Sequence, residues 1–514
     1  MLPLGTTGRR HPPGDRDRRT ARLLPGHAFC GRLRSDGHHV CPRTNNRGID
    51  VTKRKVTFAA TLAVLGLVAG ACSESSDSSS STEAPVSSEA PTSEAPTTDA
   101  PGDSPISEAN LAHALAYTGG PGGVASGDPV VIGYVNQEGG TPAFPEASIG
   151  IESAVWYANN FLGGIGGRPI ELAKCTVTKE EDGQKCAQEM LANEDVQLVI
   201  TGAMLNGNQP LLDGLAGQKP VYIANPVTTP EFLATDAFAF TPGSPGVVAG
   251  LAVFAAKYVP ELEGITVDTV AVVYNDNPAG QIAFTALTKP VLEGLGVANV
   301  KGVAVADTAG PQEMATAIQS AGAEDADVFY PLVTISSCIG VYDALKTLEI
   351  ETVVVTTGLC FGVPMQNHLK EVGEAGNLPD GWYFGGYGYS YEIAGDPSVD
   401  AYLEAVFAWA EELGKDAATL EYTGFALPTF GTLMTAIQFL NGGASDAESF
   451  RTAAKAFAGP QWGVVGPMKC GGNPTFPSLC GFQIGIQQQQ GTEYVSIRDG
   501  YNGQPIDPQA DLAS

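Results

Sequence analysis

From Asp128 onward, short apolar and β-branched runs alternate with longer stretches in which apolar positions return every three or four residues. The short runs are 130–135, 196–201, 221–224, 269–274, 328–333, 353–356 and 383–385. They are almost continuously apolar, as expected of strands covered on both faces. The longer stretches are 146–161, 183–192, 246–258, 280–295, 312–321 and 339–348. Within 146–161, Ile151, Ala154, Val155 and Ala158 fall on one helical face. This alternation predicts an α/β fold with parallel sheets and right-handed crossovers. The strands are too many for one small sheet, and the chain has 514 residues, so two lobes are expected.

Ligands of such sheets bind beyond the carboxyl ends of the strands. Here those ends read GAMLNGNQP from Gly202, NPVTTPE from Asn225, NDNPAGQ from Asn275 and TISSC from Thr334. All four carry amides or hydroxyls, and only NPVTTPE and NDNPAGQ include an acid. One such loop is an ordinary turn. Four at successive strand ends point to hydrogen bonding of a small polar solute.

Upstream the pattern changes. Lys53, Arg54 and Lys55 precede an uncharged stretch from Val56 to Ala71. At about 16 residues it is short for a membrane span, which needs ~20, and suits the apolar core of a signal peptide. It ends Ala69-Gly70-Ala71-Cys72, which resembles the lipobox of bacterial lipoproteins, with Ala69 where leucine is usual. The resemblance implies a diacylglycerol on Cys72; the alternative is a plain secretory signal with an incidental cysteine. Residues 73–105 are rich in Ser, Thr, Glu, Ala and Pro, with EAP recurring at Glu83, Glu89 and Glu94. Such a composition cannot bury enough apolar surface to fold, so 72–124 is expected to be a tether. Residues 1–50 have no hydrophobic period and carry ten arginines. They sit where a signal peptide should begin. The expectation is that translation starts at Val51, which would remove Cys30 and Cys41.

The formal charge of −28 is uneven. Of 28 cations, 15 follow Cys72, against 52 of the 56 acids, which puts the exported part near −37. Such a surface repels nucleic acid and anionic lipid heads and keeps a secreted protein soluble. Six cysteines follow Cys72, at 175, 186, 338, 360, 470 and 480. An even count in an exported chain suggests disulfides, and sequence proximity favours Cys175–Cys186, Cys338–Cys360 and Cys470–Cys480. The alternative is free buried thiols, most of all at Cys338 and Cys360, which adjoin apolar runs. No CxxC occurs, and His113 and His368 are the only histidines after Cys72, so no metal and no cofactor are expected.

An ordered set of segments then matters: GGIGGRPIEL at Gly163–Leu172, DVQLVITG at Asp195–Gly202, KPVYIANPVTTPEF at Lys219–Phe232 and VAVVYNDNPAGQ at Val270–Gln281. With the closing GVVGPMKC and CGFQIGIQQQQGTEYVSI, the chain resembles type I periplasmic solute-binding proteins of ABC transporters, in the leucine/isoleucine/valine-binding family. The likeness covers about 128–497. It implies two Rossmann-like lobes joined by three crossing strands. Lobe one would be 125–245 plus about 386–460. Lobe two would be 246–385 plus about 461–500 with a terminal hairpin. The resemblance also implies ligand contacts at Asn206, Gly207 and Asn208, at Val227 and Thr228, and at Thr334 and Ile335. Phe144 and Asn277 complete the candidate set. The implied partners are a small solute, a membrane permease and, through Cys72, the membrane; the chain is expected to be monomeric.

The sequence also departs from that family. Ala279 stands where an aromatic residue often precedes the glycine, and amides replace hydroxyls in the loop at Asn206. The strand end at Thr357–Cys360 lacks the acid that can hold an amino group. A branched-chain amino acid is therefore not the expectation; the expected ligand is a small polar solute, amino acid or amide-like, with a polyol or another small polar metabolite open. A surface ligand sensor without transport is one rival. An α/β hydrolytic enzyme is another, but no G-x-S-x-G elbow, H-E-x-x-H or P-loop occurs.

Overall fold

In the computed structural model, the structure describes residues 104–497 except 141, 375–378, 388–395 and 492, together with 507 and 508. Cys72, the signal stretch, residues 1–50 and most of the proposed tether lie outside the described residues.

Two sheets organise the chain from Ala95 onward. The first holds β1 (Val130–Gln137), β2 (Ile170–Val177), β3 (Val199–Thr201), β4 (Val221–Ile223) and β5 (Ala237–Phe238), in the order β2-β1-β3-β4-β5 and all parallel. Its register runs from Val130 opposite Ile170 to Gln137 opposite Val177. The second holds β6 (Thr269–Asn275), β7 (Asn299–Val305), β8 (Val328–Leu332), β9 (Val353–Thr357), β10 (Tyr383–Gly386), β11 (Gly485–Gln490) and β12 (Glu493–Ser496). Its order is β12-β11-β10-β9-β8-β6-β7, with β11 antiparallel to both β10 and β12 and every other pairing parallel.

All seven predicted strands are present. Of the other five, β11 and β12 form the terminal hairpin that the resemblance implied, and β2, β5 and β7 had no continuous apolar run to announce them. β2 and β7 are sheet edges, and along each of them buried and exposed positions mix. An edge strand faces water along one side and tolerates charge, which breaks the apolar run. β5 spans only two residues.

The lobes follow from which core each segment joins. Phe240 lies in the lobe-one core and Val247 in that of lobe two; Phe384 belongs to lobe two and Val399 to lobe one; Cys480 belongs to lobe one and Ile484 to lobe two. The chain therefore crosses three times, between 240 and 247, 384 and 399, and 480 and 484. Two α/β lobes joined by crossing strands make the fold a type I periplasmic binding protein architecture.

Two boundaries differ from the sequence reading. The helix Glu108–Thr118 falls inside the stretch taken as tether, yet it packs against helices Pro397–Glu412 and Ala426–Asn441 of lobe one. Ser107 caps it, Ile106 and Ala114 enter the core, and the Tyr117 hydroxyl meets Thr435 Oγ1 at 2.8 Å. Its weak amphipathy beside a polar linker hid it. The segment from 461 to 480, assigned to lobe two, packs on lobe one instead. Trp462, Val464, Met468 and Cys480 lie in the lobe-one core, and Leu479 bridges Ala239 beside β5.

Disulfides join Cys175 to Cys186, Cys338 to Cys360 and Cys470 to Cys480.

Candidate functional site: the cleft between the lobes

The carboxyl ends of β1, β6, β8 and β9 all reach one cavity of about 470 Å³. Lobe one supplies Phe144, Glu146, Leu205 and Val227, and the returning segment adds Glu421 and Phe425. Lobe two supplies Asn275, Asn277, Thr334, Ile335, Thr357 and Leu359. A smaller cavity of about 150 Å³ adjoins it toward the crossing strands and shares Ser244, Val248, Thr357, Leu359 and Phe425.

Two buried asparagines build matching walls. In lobe one, Asn136 is the last residue but one of β1; its Oδ1 accepts from Ala203 N at 2.9 Å, and its Nδ2 donates to the Phe144 carbonyl at 2.9 Å. In lobe two, Asn275 ends β6; its Oδ1 accepts from Thr334 N at 2.6 Å, and its Nδ2 donates to Ser337 Oγ at 3.2 Å. Each satisfies a loop amide that would otherwise be buried without a partner. Each also fixes the strand end that faces the cavity.

Of the nine predicted ligand residues, Phe144, Val227, Asn277, Thr334 and Ile335 lie on the cavity wall. Asn206, Gly207, Asn208 and Thr228 do not; most of their polar groups serve the loop itself, and Asn208 Oδ1 is buried without a partner. The Asn206 amide donates to Gln137 Oε1 at 3.0 Å. The Gly207 amide donates to Glu180 Oε2 at 2.7 Å. Gly207 sits at φ 74°, and its carbonyl oxygen lies 2.0 Å from where a Cβ on Gly183 would stand. Both glycines thus serve close backbone packing. Asn208 Nδ2 donates to the Met204 carbonyl at 2.8 Å and to Thr228 Oγ1 at 3.0 Å. The Thr228 hydroxyl in turn donates to Glu231 Oε2 at 2.8 Å, in the cap of the next helix. Even Asn277 on the wall is engaged: its Oδ1 caps a helix through Gly280 N, and its Nδ2 donates to Asp307.

On the cavity wall, unpartnered polar atoms belong to residues outside the predicted set. Glu146 opens the helix Pro145–Asn160 just after Phe144 and is 3% exposed. Its Oε1 has no hydrogen-bond partner. Burial pushes its carboxyl up to about 8; its own amide opposes this, and the Glu421 charge adds to it. On lobe two, Thr357 Oγ1 ends β9 and is also buried without a partner. The Phe144 and Phe425 rings meet edge to face, with centroids 5.5 Å apart, beside Glu146. No lysine, arginine or histidine stands among the described residues of the wall.

Sequence reasoning missed Glu146, Glu421, Phe425 and Thr357. One signal for Glu146 was available. It shares the buried face of its helix with Gly150, Ser153, Ala154 and Tyr157. An acid on a stripe of small and apolar residues has a cost that a surface acid does not. Glu421 and Phe425 arrive from a distant segment and leave no local pattern.

A family model described as periplasmic binding protein matches residues 129–473. The chain belongs to this family. No curated protein matches it. Among solved structures, the chain is similar to a solute binding protein of an ABC transporter from R. palustris in complex with 4-hydroxybenzoate. That likeness has 15% identity and a TM-score of 0.55, over 72% of this chain and 95% of that one. It is also similar to a leucine binding protein from Thermotoga maritima, at 14% identity and TM-score 0.54, over 74% and 99% of the two chains. A branched-chain amino acid transporter substrate binding protein from Streptococcus pneumoniae, in complex with isoleucine, matches at 13% identity and TM-score 0.54, over 72% and 99%. At such identities the likeness speaks for the fold alone. Within this periplasmic binding protein, no group of three or more His, Cys, Asp or Glu side chains gathers as a metal site among the described residues.

Proposed function

We propose that this chain is the extracytoplasmic solute-binding component of an ABC importer, which captures a small polar solute between its lobes and delivers it to a membrane permease. The observation that supports this is the cavity itself. It lies at the strand carboxyl ends, is walled by both lobes, and sits where three crossings leave the lobes free to hinge. The solute is read as an amino acid or an amide-like molecule. Phe144, Val227, Asn277, Thr334 and Ile335 are its proposed contacts from the original candidate set. A lipid on Cys72 is proposed to hold the protein at the outer face of the membrane.

A ligand at 100 times its dissociation constant adds about 2.7 kcal/mol to folding stability. A thermal-shift screen of amino acids, amides, polyols and organic acids is therefore expected to return at least one clear shift, with a fall in radius of gyration by X-ray scattering as the lobes close. Silence across the whole panel overturns the reading. Intact-mass measurement of the membrane-bound protein tests the lipid: a diacylglyceryl-modified Cys72 is expected, and a free N-terminal cysteine excludes it.

A further inference from the structure

Three features of the cleft converge on one ligand chemistry. The first is Glu146, a residue of the cavity wall whose Oε1 is buried and has no partner. An unpaired carboxylate in an apolar wall is costly, and a ligand that donates to it recovers that cost on binding. The second is charge: Glu421 shares the wall, and no cationic side chain among the described residues offsets the two acids. Burial holds a proton on Glu146 in the empty cleft near neutral pH, so a ligand cation that displaces that proton gains a charged partner, whereas a ligand carboxylate meets two acids and no base. The third is the paired Phe144 and Phe425 rings against Glu146, backed by Leu205, Val248 and Leu359, which favour an apolar body and offer ring faces to a positive group.

A bare metal ion does not fit. Two carboxylates fall short of the oxygen-rich shell a divalent cation takes, and the remaining wall is mostly apolar. An organic cation fits both halves of the site. We infer that the solute is a small amphipathic ammonium compound, whose N–H group donates to Glu146 Oε1 in lobe one while a second polar group reaches Thr357 Oγ1 in lobe two. The inference rests on the solute-binding reading and replaces its amino acid or amide-like ligand with an amine that carries no carboxylate. It also replaces the acid missing at Thr357–Cys360: the carboxylate stands on the opposite lobe, at the start of the first helix after β1.

The test uses two trios of matched shape on the full chain. One is phenethylamine, 2-phenylethanol and 3-phenylpropionate. The other is isopentylamine, isopentyl alcohol and 4-methylpentanoate. Leucine and 4-hydroxybenzoate complete the panel. The ammonium members are expected to raise the melting temperature by several degrees and to bind at least tenfold more tightly by calorimetry than their alcohol and carboxylate partners. In Glu146→Gln, binding of the amines is expected to weaken by tenfold or more. Glu146→Asp keeps the charge but draws it back, and an intermediate loss is expected; it serves if the glutamine variant folds poorly. Shifts from alcohols or carboxylates alone overturn the inference and leave the solute-binding reading standing. Amine binding undiminished in both variants also overturns it. No shift from any compound in the unmodified protein counts against both.

Discussion

The two lobes share a plan and differ in what they bring to the cleft. Each has, at or next to the end of a central strand, a buried asparagine that ties down the next loop, Asn136 in one and Asn275 in the other. Each carries a short-range disulfide, Cys175–Cys186 in lobe one and Cys338–Cys360 in lobe two, and lobe one adds Cys470–Cys480. Lobe one then places a buried carboxylate, Glu146, on the cavity wall, while lobe two presents the neutral hydroxyls of Thr334 and Thr357. The scaffold is thus repeated and the chemistry is not. Ligand polarity is set by groups outside the repeated frame, and a shared fold cannot carry a ligand assignment from one relative to another.

The largest expected effect separates the lobes through pH. Glu146 titrates near 4.5 when unfolded and about 8 when folded. A folded value raised in this way gives stability that is present below the unfolded value and lost as pH climbs through the folded one. Glu231, raised by burial to about 7, adds to the same trend over a narrower window. At about 1.4 kcal/mol per unit, the Glu146 shift alone amounts to several kcal/mol. Glu146→Gln is expected to gain on the unmodified protein from pH 5 to 8 and to level off beyond, in melting curves taken at each pH. A parallel pair of curves would erase the electrostatic difference between the lobes.

Next come the disulfides. Replacing both cysteines of Cys175–Cys186 or of Cys338–Cys360 with serine is expected to cost roughly 3 kcal/mol in chemical denaturation. The lobe-two pair spans 22 residues against 11 in lobe one. Doubling the loop adds only about 0.6 kcal/mol. A much larger gap would mean that one lobe leans on its bridge for more than chain entropy.

The asparagines should show the smallest contrast. Asn136→Ala and Asn275→Ala each orphan a loop amide, at about 2 kcal/mol. Asn136 is expected to cost slightly more because it also holds the Phe144 carbonyl and Ser148 Oγ. Equal losses would make the two walls energetically interchangeable; a reversed order would mark lobe two as the more tightly built.

Much of this was legible before any coordinates. The central strands announced themselves because parallel strands covered on both faces are apolar throughout. β2 did not, because its exposed residues interrupt the run. The cleft was legible as a place, since strand ends locate it, but less so as a list of contacts. The amide-rich loop at Asn206–Asn208 looked like a ligand cradle, whereas Gln137, Glu180 and Thr228 already engage its backbone amides and the Asn208 side-chain amide N–H. Sequence shows which groups can hydrogen-bond, not which are already spoken for. Glu421 and Phe425 meet Phe144 and Glu146 only after the chain returns from lobe two, and no local pattern records that meeting.

The helix Glu108–Thr118 has a mechanical consequence. It is cemented to lobe one alone, against helices that never join the lobe-two core. Tension arriving from the N-terminal side therefore enters a single lobe and is not transmitted across the cleft. Under the proposed anchoring through Cys72, lobe one would act as the fixed jaw and lobe two as the free one.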